Sequence, residues 1–257
     1  MKNAAPDESS LAYLDPEFLA SDDARPLRII AEYLNPLRRL RLQRIRDTIV
    51  FFGSARLTET GPLGRFYAEA RELARLVTAW SQTLPSSAHR FVICSGGGGG
   101  IMEAANRGAR DAGGRTMGLN ISLPHEQEAN AFVTPELLFK FRYFFMRKLW
   151  FAHLARAMVV FPGGFGTLDE LMEVLTLAQT RKLARRVPVI LYGSGYWREI
   201  INFDALVRHG MISGEDLKLF AFADDPGCAF KLLQTAIEMD AEEKTPAFAA
   251  SRCRESP

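Results

Sequence analysis

From Thr48 onward the chain alternates short, continuous apolar runs with stretches that repeat at a helical period. Thr48–Phe52 (TIVFF) is apolar nearly throughout and is followed by Gly53-Ser54, the pattern of a strand buried on both faces that ends in a turn. Phe66, Ala70, Leu73, Val77 and Trp80 follow at spacings of four, three, four and three, which is one face of a helix. Phe91–Cys94 (FVIC) predicts a second buried strand leading into five glycines, and Ile101–Ala112 a helix. Thr116–Asn120 reads as a weaker strand and Glu136–Arg156 as one long aromatic-rich helix. Ala157–Phe161 (AMVVF) predicts a strand, then PGGFGT and a helix from Leu168 to about Lys182. Val187–Leu191 (VPVIL) completes the pattern as a strand, with a helix over Tyr196–Arg208.

Strands alternating with helices define the α/β class: a mostly parallel sheet with helices on both faces. In such sheets ligands gather outside the carboxyl ends of the strands. Gly53-Ser54 and both glycine-rich segments follow strands, so all three are expected along one edge.

The N-terminal part differs in charge. Residues 1–24 carry six acids against Lys2 and are expected to be loosely ordered; residues 25–46 carry seven arginines against Glu32. The second stretch has a helical repeat expected to break near Pro36. It reads as a solvated helical face, with an acidic surface or nucleic acid as the alternative partner. The division expected is an extension over 1–46 with a helical segment, a single domain over 47–240 and a disordered tail over 241–257.

Composition narrows the function classes. Of 257 residues 47% are hydrophobic and 24% charged, and the net charge of +2 supplies no field to gather nucleic acid or membrane. Cys94, Cys228 and Cys253 are odd in number and far apart, which points to a reducing compartment. The start lacks a basic segment followed by an apolar one, and no apolar run reaches the roughly 18 residues of a membrane helix. A soluble cytoplasmic protein is expected. His89, His125, His153 and His209 form no metal-binding pattern, so no metal is expected. A packed or solvated role is expected for His153, six residues from Arg147.

The chemistry concentrates in the loops. Gly96–Gly100, between a strand and a helix, lets backbone N–H groups approach an anion. It is not a P-loop, since Ile101 and Met102 stand where Lys and Ser/Thr belong. Nor does Gly164-Phe165-Gly166 complete a dinucleotide fingerprint, because Asp169 occupies the third glycine position. Within Pro162-Gly163-Gly164-Phe165-Gly166-Thr167, Thr167 and Glu170 are three apart. That spacing fits a capping box as well as it fits a ligand site.

With both loops in view, the chain resembles the LOG family, the cytokinin riboside 5′-monophosphate phosphoribohydrolases, whose members are often mislabelled as lysine decarboxylases. The family mark P-G-G-x-G-T-x-x-E is complete as PGGFGTLDE, Pro162 to Glu170. SGGGGGIMEAANRGA matches the family's earlier glycine loop, Met146-Arg147-Lys148 its Arg-Lys pair, and FFGSAR its first Gly-Ser turn. The similarity spans about Thr48 to Leu191.

The resemblance implies a modified Rossmann fold, a homodimer or higher homo-oligomer, and no cofactor. It implies hydrolysis of a nucleoside 5′-monophosphate, AMP or an N6-modified adenine nucleotide, to free base and ribose 5-phosphate. Arg147 and Glu170 become the catalytic candidates. Gly53, Ser54, Ser95, Gly96, Gly97, Gly98, Gly99, Gly100, Met146, Lys148, Gly163, Gly164, Gly166 and Thr167 become the substrate-binding ones. Glu173, one turn beyond Glu170, is a possible assistant, and Asp169 points about 100° away. The alternative is a non-catalytic nucleotide or cofactor binder on the same architecture, as in molybdenum-cofactor carriers and a DNA-processing family.

Overall fold

The computed structural model describes residues 11–122, 128–183 and 185–243. Seven parallel strands form one sheet: β1 (Thr48–Phe52), β2 (Val92–Ser95), β3 (Thr116–Ile121), β4 (Leu138–Phe141), β5 (Ala155–Val160), β6 (Val189–Tyr192) and β7 (Phe220–Ala223). Their order is β4-β3-β2-β1-β5-β6-β7, so the chain winds outward from β1 on one side and then on the other. The winding reverses between β1 and β5, and there the loops after the two strands diverge and leave a crevice.

Strict alternation along β1 assigns the two faces. Ile49 and Phe51 join a core with α3 (Gly64–Thr83), α4 (Ile101–Asp111) and α9 (Pro226–Glu243). Val50 and Phe52 join the opposite core, with Met146, Trp150 and Phe151 of α5 (Phe144–Leu154) and Leu171 and Val174 of α6 (Phe165–Gln179). Burial on both faces explains why the central strands are continuous apolar runs. Shorter helices complete the chain: α1 (Pro16–Ala20), α2 (Arg25–Leu42), α7 (Ser194–Ile200) and α8 (Phe203–Arg208). Among the described residues no helix is long and apolar enough to cross a membrane.

Four expectations need correction. The single helix over Glu136–Arg156 is a 3₁₀ turn (Pro135–Leu137), strand β4 and then α5, with Tyr143 in extended backbone at the helix start. Arg156 belongs to β5. The helix over Tyr196–Arg208 is two helices separated at Ile201-Asn202, where the Asn202 side chain accepts from Ala205 N and starts α8. The acidic N-terminal stretch contains α1, capped by the Asp15 carboxylate on Glu17 N and Phe18 N. Finally, α2 runs unbroken through Pro36. Proline removes an N–H from the helix and leaves the carbonyl four residues back without its donor. That carbonyl, of Glu32, accepts instead from the Trp150 indole N–H at 3.1 Å. The Glu32 carboxylate takes the backbone N–H groups of Arg142 and Tyr143. Pro36 thus fastens α2 to α5. The tail from 244, like His125 and Cys253, lies outside the described residues.

A buried polar network ties the glycine segment after β2 to the sheet. Asn106 on α4 is fully buried. Its amide oxygen accepts from Ser95 Oγ at 2.7 Å and from Asn130 Nδ2 at 3.0 Å, while its amide nitrogen donates to Thr116 Oγ1. Ser95 Oγ in turn accepts from Gly97 N. Asn106→Ala strands several of these groups away from water, each at about 1–3 kcal/mol. Denaturant unfolding is expected to show a loss of about 2–3 kcal/mol, well beyond what the missing side-chain volume accounts for.

Candidate active site

A cavity of about 1020 Å³ opens at the carboxyl ends of β1 and β5. Three loops build it, and backbone hydrogen bonds hold them together. Ser54 N donates to Pro162 O at 3.0 Å, which joins the loop after β1 to the loop after β5. Ile101 N donates to Ser54 O at 3.1 Å, which joins the first loop to the start of α4. Gly100 sits at that junction with φ of +63°, and a Cβ there would collide with the Ser54 carbonyl. Gly163 is glycine for a different reason: the Thr167 side chain fills the space a Cβ would take. The Tyr196 hydroxyl, from α7, donates to Gly163 O at 2.8 Å and fixes the second loop from outside.

The first turn of α6 forms one wall. The helix begins at Phe165, and no side chain caps it at Gly164. Thr167 lies inside the first turn and the Glu170 carboxylate turns elsewhere, so the capping-box reading is not realised. The first backbone N–H groups of a 15-residue helix therefore face the cavity with the positive end of the helix dipole behind them.

Glu170 and Arg147 form the opposite feature. Arg147 Nη1 lies 3.1 Å from Glu170 Oε1, and each side chain is only 13% exposed. Arg147 Nε donates to Leu119 O at 2.7 Å, and its guanidinium lies over the Phe151 ring. Burial pushes the Glu170 carboxyl up to about 7 despite the opposing pull of Arg147. Burial likewise holds Arg147 below the ordinary arginine range, against the pull of Glu170. The result is an ionisable pair, sparingly solvated, that opens on a cavity.

The sequence-predicted residues divide between the cavity and its supports. Gly53, Ser54, Arg147, Gly163, Gly164, Gly166, Thr167 and Glu170 line the cavity. Ser95 and Gly96–Gly100 lie behind it: a Cβ on Gly96 would meet Arg147 Nη2 and Met102 Sδ, and one on Gly97 would meet Gly118. Met146 is buried in the core below. Lys148 turns away to Asp169 (2.7 Å) and Glu173 (3.1 Å), tying α5 to α6. His153 stands edge-on to the Trp150 ring. Sequence reasoning missed Arg56, Thr58, Met102, Tyr196 and Ile200, all of which line the cavity. Arg56 stands two residues beyond the first Gly-Ser turn, in FFGSAR, which was the available signal. Tyr196 carried none, because its contact with Gly163 spans 33 residues. Among the described residues no three His, Cys, Asp or Glu side chains come together as metal ligands.

Fold and site together define a Rossmann-like α/β protein with an anion-ready helix start beside a buried arginine–carboxylate pair. The family model described as "Possible lysine decarboxylase" matches residues 102–233. A rice (Oryza sativa subsp. japonica) protein named "Probable cytokinin riboside 5'-monophosphate phosphoribohydrolase LOG4" is 29% identical over 187 residues, 71% of this chain and 74% of that protein. A second rice relative, with the same printed activity and the label LOGL9, is 30% identical over 194 residues, 74% and 78% of the two chains. The solved structure of TM1055, a structural-genomics target, covers 74% of this chain and 99% of its own with a TM-score of 0.53 at 21% identity, a likeness of fold. The chain belongs to the LOG family.

Proposed function

We propose that the protein hydrolyses the N-glycosidic bond of a nucleoside 5′-monophosphate, giving free base and ribose 5-phosphate. One observation carries the reading: the buried Arg147–Glu170 pair and the uncapped start of α6 face the same cavity. A 5′-phosphate fits the N–H groups from Gly164 to Thr167, where dipole and donors favour an anion. Helical side chains lean toward the N-terminus, so Glu170 reaches back toward the ribose of a nucleotide held there.

In the reaction the bond between C1′ and the base nitrogen breaks, and its electron pair leaves with the base, which takes up a proton from solvent; the proton that Glu170 accepts from the attacking water returns to solvent, so the sum is one water added across the bond. The sugar becomes cation-like. Ionised Glu170 stabilises that charge and accepts a proton from the water that adds to C1′. Arg147 holds the carboxylate in place and ionised. Leu57, Pro62, Leu63, Met102 and Ile200 give the remaining cavity an apolar lining, which supports AMP or an N6-modified adenine nucleotide as substrate. Apolar contacts discriminate by about 1–3 kcal/mol per methylene, so preference among bases is graded. Phe144, Phe145 and Leu149 on α5 and Met172 on α6 are large and exposed, which supports a homo-oligomer using this face.

The test is incubation with AMP without added metal, with adenine and ribose 5-phosphate quantified together. Equal amounts of the two products are expected, and adenosine, lacking the phosphate, is expected to react at least about a hundredfold more slowly. Because Glu170 works ionised and titrates near 7, the rate is expected to rise as pH passes upward through about 7. Adenosine turning over as fast as AMP would remove the phosphate cradle from the mechanism.

A further inference from the structure

A second cavity, of about 590 Å³, lies at the opposite edge of the sheet, beneath the starts of β6 and β7. Nothing in the proposed hydrolysis uses it. Its walls come from the end of α6 (Ala178), the segment into β6 (Leu183, Val187), the start of β7 (Phe220) and α9 (Leu232, Ala236, Met239). α6 has its start at the first cavity and its end at this one, so the two are about 22 Å apart.

The floor is apolar, and Leu232 and Met239 are exposed although they line a concavity. The rim is cationic. Arg181, Arg185, Arg186 and Lys218 surround it against the single carboxylate of Glu215, which already pairs with Lys218 at 2.8 Å. Among the described residues none of the three arginines forms an ion pair. They are not needed to close α6 either, because its last carbonyls are met by backbone: Arg181 N donates to Ala178 O and Lys182 N to Leu177 O. The uncompensated charge extends to neighbouring groups. The His153 imidazole is held below its ordinary range by burial and then by Arg185.

The geometry points to a second ligand site that takes a small amphipathic anion, with a phosphate or carboxylate head on Arg181, Arg185 and Arg186 and an apolar body over Leu232, Ala236 and Met239. The volume lies within the range of about 300–1,000 Å³ usual for small-molecule pockets. Arginine suits the head, since its planar fork meets either oxyanion, and an apolar body explains why the cavity carries so few polar groups besides the rim.

The probe is decyl phosphate, kept below micelle formation and titrated calorimetrically into the full chain in excess ribose 5-phosphate. One equivalent is expected to bind, with inorganic phosphate and decanol each at least tenfold weaker. Decanoate binding comparably would show that the site accepts either head. The double variant Arg185→Gln/Arg186→Gln should weaken binding at least tenfold, and Ala236→Trp, which fills the apolar groove, should do the same. Both changes are at or near the surface, and melting curves check that each variant folds. Unchanged affinity in both variants would overturn the site, as would displacement by ribose 5-phosphate, which would put the probe in the first cavity. Binding that appears only after residues 244–257 are deleted would make the chain's own end the occupant and would equally end the proposal.

Discussion

Glu170→Gln is expected to lower base release from AMP by about 10³-fold or more, within or above the 10²–10⁴ range that a positioned proton acceptor supplies. Nucleotide binding is expected to persist. Gln keeps the shape of Glu and can still accept from Arg147, so the cavity wall should survive. What it lacks is the negative charge facing the sugar and the capacity to take a proton from water. The phosphate contacts belong to backbone N–H groups at the start of α6, which the substitution leaves alone. The expected signature is therefore a large fall in kcat with KM changed by no more than a few-fold. Isothermal binding of AMP to the variant, run beside the product assay, separates the two quantities. A fall in binding with kcat preserved would make Glu170 a contact for the ground state and not a participant in the reaction.

How far the sequence announces this arrangement depends on how deeply each element is buried. β1, β2, β5 and β6 lie inside the sheet and carry apolar runs on both faces, so pattern alone finds them. β4 is an edge strand of four residues, Leu138–Phe141, half-buried on one side and with Lys140 exposed. Leu137, Phe141, Phe144 and Phe145 across and beyond it match a helical repeat as well as a strand, and the bend at Arg142-Tyr143 carries no glycine or proline to mark it. β7, FAFA, is short, lies at the other edge and is only half-buried, so it leaves little pattern to read. Pro36 misleads because the usual consequence of a helical proline, an orphaned carbonyl, is met by an indole 118 positions away in sequence.

The site divides in the same way. Thr167 and Glu170 share one helix turn, and PGGFGTLDE displays both. The partner of Glu170 is 23 residues upstream on another helix, and no spacing rule links them. Lys148, beside Arg147 in sequence, is rotated about 100° around α5 and reaches Asp169 and Glu173 instead. The five glycines read from sequence as a phosphate loop. In the structure two of them are packed closely on backbone, Gly97 against Gly118 and Gly100 against the Ser54 carbonyl, while Gly96 leaves room for the side chains of Arg147 and Met102.

Arg147→Met is expected to have the second-largest effect, and its pH dependence distinguishes the role of Arg147 from that of a bystander. Methionine fills much of the same space over Phe151 but removes the donor to Leu119 O and the countercharge of Glu170. Breaking a buried pair from one side commonly costs about 3–5 kcal/mol, because an uncompensated charge remains. Glu170 can escape part of that cost by taking up a proton, since it already titrates near 7 and Arg147 is the main influence holding it down. Its titration in the variant should therefore move further up, at about 1.4 kcal/mol per unit. The sign for stability follows. A carboxyl whose folded pKa is raised contributes stability that is full below the unfolded value, near 4.5, and is lost as pH rises through the folded value. In the wild type that loss is complete a little above pH 7. In the variant it continues to higher pH, so the gap between the two melting temperatures should widen from pH 6 to pH 9. The rising limb of activity should shift to higher pH in step, on top of a fall in kcat/KM of about a hundredfold or more at pH 7. A gap that stays constant across that range, with the activity limb unmoved, would show that Arg147 neither faces nor tunes the Glu170 carboxylate.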